Sequence, residues 1–139
     1  MFTNNSFGKL LDITHRTMDA TMLRRRVIAD NISNADTPHF KRSDVNFESF
    51  LKRALDSEKE QPGLELALTN PRHIPNDRPL DYRDVEPVKY FDYLSTSDNN
   101  GNNVDLEQEG MLALQNQMNY DLMISIINSQ FSQINSALR

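Results

Sequence analysis

The sequence has no cysteine. Disulfides, thiolate metal sites and a cysteine nucleophile are therefore excluded, and the chain suits reducing and oxidising compartments equally. Its four glycines are isolated from one another, so no glycine-rich loop exists to cradle a phosphate. Positive charge is short, with fifteen Lys and Arg against twenty Asp and Glu, a net −5. A binder of bulk nucleic acid needs a basic face that displaces counterions, and this balance argues against one. No apolar run approaches the ~18 residues of a membrane span, which argues against direct membrane insertion. The opening Met1-Phe2-Thr3-Asn4-Asn5-Ser6 lacks the basic-then-apolar order of a cleaved secretory signal, so export, if any, is expected to use an uncleaved route.

Apolar residues are scarce as well, at 37% of the chain. A typical globular domain holds roughly 45–50%. The 139 residues suffice for one domain of ordinary size, but such a chain buries little apolar surface against its ordering entropy. Part of that surface is expected to be covered by partners.

Catalytic groupings do not assemble from the residues present. His15, His39 and His73 fall in a helix, a turn and a Pro-rich loop, none beside a distinctive Ser or Asp motif. His15 and Asp19 stand at i, i+4, the spacing of an ordinary helix-surface pair, and lack a third metal ligand. Thr96–Glu107 places Asp98, Asn100, Gly101 and Glu107 at EF-hand positions, but Thr96 replaces the first carboxylate and Asn103 the usual apolar residue. The simpler reading is a polar loop leading into a helix whose Asp105, Glu107 and Glu109 complement the helix dipole. No catalytic, cofactor-binding or metal residue is assigned, and an enzyme is not expected.

Three segments separate by pattern. From Ser6 to Asn34 there is no proline, and Phe7, Leu11, Thr14, Met18, Thr21, Ile28 and Ile32 recur in helical steps, with a second stripe through Leu10, Ile13, Thr17, Ala20 and Val27. Pro38 marks the stop. Residues 37–103 hold all six prolines and predict an irregular middle, loosely packed without partners, with a short helix at 47–58 and short strands at 64–68 and 88–93. From Val104 to Leu138 the helical signal returns, with Tyr120, Ile124, Ile127, Phe131, Ile134 and Leu138 in a 4-3-4-3-4 rhythm and Met111, Leu114, Met118 and Leu122 beside it. The expected fold is mainly α: residues 6–36 and 104–138 form a discontinuous domain of two long helices paired like a coiled coil, about 40 and 50 Å long. The seam or subunit-interface candidates are Phe7, Leu11, Met18, Ile28, Ile32, Met118, Tyr120, Leu122, Ile124, Ile127, Phe131, Ile134 and Leu138. Two stripes on each helix exceed what one pair can cover, which points to assembly. The run Arg24-Arg25-Arg26 fans around most of its helix and reads as salt-bridging to neighbouring acidic helices.

The segment Ala29-Asp30-Asn31-Ile32-Ser33-Asn34-Ala35-Asp36-Thr37-Pro38-His39-Phe40 resembles the signature of flagellar axial proteins of rod and hook, Ala-Asn-x-x-Asn followed by Thr-Pro-Gly-Tyr. Its turn residues here are Asn31, Asn34, Asp36, Thr37, Pro38 and Phe40, with Asp30 for the first Asn, His39 for Gly and Phe40 for Tyr. Asn102-Asn103-Val104-Asp105-Leu106-Glu107, Leu68-Thr69 and His73-Ile74 are similar to segments of proximal rod proteins of the FlgB type. The sister FlgC type and, from another class, a soluble export chaperone or adaptor remain the alternatives. The resemblance implies a structural subunit of the proximal rod, made in the cytoplasm and exported without signal cleavage by the flagellar type III apparatus. It would assemble in the periplasm with itself and other rod subunits, against the export gate and the membrane-ring or adaptor proteins of the basal body, its terminal helices lining the export channel. It also implies that Phe7 and Leu11 belong to an element read by the export gate. Two core residues one turn apart would look the same.

Overall fold

In a computed structural model of the chain, residues 6–59, 69–70, 72, 80–95 and 99–138 are described. The elements run α1 (Ser6–Ser33), β1 (Ser43–Asn46), α2 (Glu48–Ser57), a 3-10 turn (Tyr82–Asp84), β2 (Val88–Phe91) and α3 (Leu106–Ala137). The protein is mainly helical, with two long terminal helices and a middle of loops and short strands, as the periodicity implied. The expected short helix is α2 and the strand expected at 88–93 is β2. The strand expected at 64–68, the Leu68-Thr69 and His73-Ile74 matches in part, and the start of the Thr96–Glu107 loop lie outside the described residues.

The chain forms two compact units, 1–46 with 87–139, and 47–86. In the first, α1 and α3 run antiparallel. Asn31 meets Glu109, Thr21 meets Asn116, and Phe7 meets Phe131 edge to face with ring centroids 6.5 Å apart. Beside them β1 and β2 pair antiparallel, Asp44 opposite Tyr90 and Asn46 opposite Val88. Nothing in Ser43-Asp44-Val45-Asn46 announced a strand, because its alternation is between polar residues and one valine. Its outer edge is held by side chains from α1: Asn31 brackets the Ser43 backbone, and Arg24 donates to the Val45 carbonyl at 3.1 Å. In the second unit Phe47, Leu51, Ala54 and Tyr82 are buried. The Ser57 hydroxyl joins α2 to the turn by accepting from the Leu80 amide at 3.0 Å while donating to the Ala54 carbonyl.

Local chemistry sets the ends of the long helices. The Asn34 amide donates to the fraying Asp30 carbonyl at 2.8 Å, and the Thr37 amide bonds the Asn34 carbonyl ahead of Pro38. His39 takes a left-handed backbone, φ 62°, at the position where the axial signature has Gly. Its N–H donates to the Asn100 carbonyl at 3.1 Å, which brings Gly101 beneath the imidazole. Gly101 has φ 79°, and a Cβ there would stand 2.7 Å from His39 Nδ1. At the head of α3, Asp105 caps the helix by accepting from the amides of Glu107 and Gln108. Left-handed backbone disfavours a side chain at both crossing residues. Gly101→Ala should therefore lower stability by about 1–2 kcal/mol in thermal unfolding, whereas His39→Gly should cost less than a helix-interior Gly because it relieves strain.

Candidate subunit interface and the polar clasp that positions it

Glu109, in the first turn of α3, has 0% of its surface exposed. The sequence suggested a dipole-complementing acid, but its carboxylate instead faces inward. Arg42 Nε donates to Glu109 Oε1 at 2.5 Å and Asn31 Nδ2 to Glu109 Oε2 at 3.2 Å. The same Asn31 amide gives 2.8 Å to the Ser43 carbonyl, and its oxygen accepts from the Ser43 N–H at 3.0 Å. One asparagine thus ties the end of α1 to β1 and to the start of α3. Arg42 also lies 3.6 Å from Asp44, and its backbone N–H donates to Asn103 Oδ1 at 2.7 Å. Asn103 closes the ring by donating to the Asp92 carbonyl and the Ser95 hydroxyl. Asn102, equally buried, gives its amide to the carbonyls of Asn34, Ala35 and Thr37 at 2.7–2.9 Å and accepts from the Val104 N–H. It caps the signature turn from the other end of the chain.

The electrostatics follow from this packing. Burial disfavours the Arg42 charge, yet the Glu109 hydrogen bond and the carboxylates of Glu109, Asp44 and Asp92 outweigh it and lift its pKa above the ordinary arginine value. The amides of Leu94 and Ser95 hold the Asp92 carboxyl below the usual carboxylate range. Desolvation, with the carboxylate of Asp44 beside it, raises Tyr90. Among the described residues, no three His, Asp or Glu side chains gather as metal ligands, and His15 and Asp19 form a surface pair at 3.4 Å.

The clasp fixes which side of α3 meets α1. Glu109, Leu112, Asn116, Asn119, Tyr120, Met123, Ile127, Gln130 and Ile134 face inward or are half-buried. Midway, Asn116 Nδ2 donates to the Thr21 carbonyl at 2.9 Å, while its buried Oδ1 has no hydrogen-bond partner among the described residues. In its first four turns the helix is turned inside out, with polar residues inward. Met111, Leu114, Met118 and Leu122 point outward at 71, 63, 56 and 54% exposure.

The seam candidates divide accordingly. Ile28 is buried, and Phe7, Leu11, Met18, Tyr120, Ile127 and Ile134 are half-buried, whereas Ile32, Met118, Leu122, Ile124, Phe131 and Leu138 are exposed. Phe131 is brought to Phe7 by its ring edge alone. Of the signature turn, Asn31 is buried, Asn34 and Phe40 are half-buried, and Asp36, Thr37 and Pro38 are exposed. Periodicity missed Arg42, Asn102, Asn103 and Glu109.

Two long antiparallel helices with a buried polar clasp and an apolar outer face define a helical assembly subunit. No protein-family model matches the chain. It is 42% identical over 97% of its length to "Flagellar basal body rod protein FlgB" of Borreliella burgdorferi, of which it covers 99%. It is 32% identical to the protein of that name from Aeromonas hydrophila, with 96% of each chain covered. With that of Bacillus subtilis the identity is 30%, over 84% of this chain and 82% of the relative. The chain belongs to the FlgB family of flagellar basal body rod proteins, which makes it a structural protein of the basal body rod.

Removing one partner of the clasp strands a buried charge. Glu109→Ala should cost about 3–5 kcal/mol by denaturant unfolding, and the apolar pair Arg42→Met with Glu109→Met should recover most of it. Asn102→Asp, which sets a carboxylate against three carbonyl oxygens, should cost about 3 kcal/mol. Asp92 has a depressed folded pKa, so its contribution is present above its unfolded pKa of about 4 and fades as pH falls toward the folded value. Acid titration of Asp92→Asn should lack that component.

Proposed function

We propose that the chain is a subunit of the proximal rod, exported by the flagellar type III apparatus and polymerising by coiled-coil-like helix packing. In this reading residues 6–36 and 104–138 act as the rod core, pack against copies and other rod subunits, line the export channel and transmit torque. The periplasm is the compartment of assembly, with the export gate and the membrane-ring or adaptor proteins as further partners. The single observation that carries the proposal is the outward apolar face of α3. A lone hairpin covers only the inner side of α3, and an exposed apolar strip on the other side marks a surface for a partner. Partners supply the burial that the sparse composition lacks. Phe7 and Leu11, half-buried on α1, remain the proposed export-gate element.

Leu114→Asp changes an exposed residue, so the helical circular dichroism of the purified chain should stay at the wild-type level while cells lose motility. Ile127→Asp, which strikes the inner seam, should lose both. Normal swimming with Leu114→Asp, or absence of the chain from isolated basal bodies, would overturn the reading.

A further inference from the structure

The triple arginine run of α1 is not used up inside the molecule. Arg24 is engaged with the Val45 carbonyl. Arg25 and Arg26 are exposed, and neither makes an ion pair among the described residues. Met22 and Ala29, also exposed, share their arc of the helix at steps of three and four. Helix α1 carries five Lys and Arg against three Asp. Helix α3 is the converse, with Glu107, Glu109 and Asp121 and no cation. Glu109 is spent on Arg42, which leaves Glu107 and Asp121 exposed. These two acids sit on the outer ridge itself: Glu107, Met111, Leu114, Met118 and Asp121 follow in steps of four, three, four and three. The outward face of α3 is an apolar strip with a carboxylate at each end, about 21 Å apart at ~1.5 Å per residue.

We propose that this strip receives the Met22–Arg25–Arg26–Ala29 face of α1 from a second copy of the chain. Met22 and Ala29 would lie on the strip between Met111 and Met118, with a guanidinium reaching a terminal carboxylate. The inference rests on the reading of the chain as an assembly subunit and deepens it by naming the partner surface. Charge selects the occupant. Between the two long helices, a second α3 would set acid against acid, whereas the arginine-bearing α1 face is complementary to the strip. Because the two faces differ, a head-to-tail contact leaves an α3 strip free at one end and an α1 face at the other, onto which further copies add.

The test uses two full-length variants, Arg25→Glu with Arg26→Glu, and Glu107→Lys with Asp121→Lys. Association is followed by sedimentation velocity at low salt, where exposed charges are least screened. Wild type should associate and weaken as salt rises. Each variant alone should associate at least about tenfold more weakly, equivalent to about 1.4 kcal/mol. An equimolar mixture of the two should recover association, since each then meets the opposite charge. Recovery by mixing cannot arise from an intrachain pair. Should reversal disturb the helical circular dichroism, Arg25→Gln with Arg26→Gln removes attraction without repulsion and should show the same tenfold loss. A wild type that stays monomeric, association indifferent to both variants, or a mixture that does not recover would overturn the docking. Immunolabelling of isolated basal bodies separates the two claims: labelled rods with charge-indifferent association sink this contact alone, and unlabelled rods sink the rod assignment.

Discussion

A carboxylate taken wholly out of water has to be met by a cation and by donors inside the fold, and Glu109 imposes that condition on the first unit. Its charge requires Arg42, which comes from the loop after α1, and Asn31, which comes from the end of α1 itself. Once Arg42 is held there, its backbone is in reach of Asn103 and the chain must run past β2 to supply it. Helix ends, ribbon and return loop are therefore placed by one charge and the groups that neutralise it. Such a pair is a poor source of net stability, because desolvation offsets most of the attraction. What it supplies is a large penalty for any arrangement that separates its members.

That penalty matters because apolar packing alone discriminates poorly here. The first half of α3 carries more grease on the side away from α1 than on the side toward it. Rotating the helix to bury Met111, Leu114, Met118 and Leu122 against α1 would satisfy the hydrophobic effect, yet it would carry Glu109 away from Arg42 and leave that guanidinium buried without its acid. The second half is patterned conventionally, with Met123, Ile127 and Ile134 turned inward. The helix is thus pinned by polar contacts near its head and by Phe7 against Phe131 near its tail.

The sequence made the terminal helices legible because their apolar spacing is a local property: α1 and α3 fall where the 3.6-residue rhythm and the prolines put them. The turn after α1 was legible for a different reason, a string of residues whose order resembles the axial signature, and His39 does adopt the left-handed backbone that a Gly position implies. The clasp was illegible because its members are charged or amide side chains far apart in the chain. Glu109 sits where an acid is already explained by the helix dipole, and Arg42 where a basic residue after a turn invites no comment. Nor does a rhythm of apolar residues say which of two stripes faces inward. For α3 the polar residues decided that.

The low apolar content and the inverted head of α3 have a common physical origin. A self-sufficient domain of this length would place its hydrophobic residues on the inner face and gain its stability there. This chain spends inner positions on Asn31, Asn116 and Glu109, which fix geometry, and leaves four large apolar side chains exposed on the outer face of α3. Polar groups inside thereby confer specificity on the fold, and in the proposed assembly the apolar groups outside would confer affinity. The two choices depend on each other. In the proposed assembly, an outer strip serves only if every copy presents it at the same angle, and the buried clasp holds that angle against the pull of the strip's own hydrophobicity.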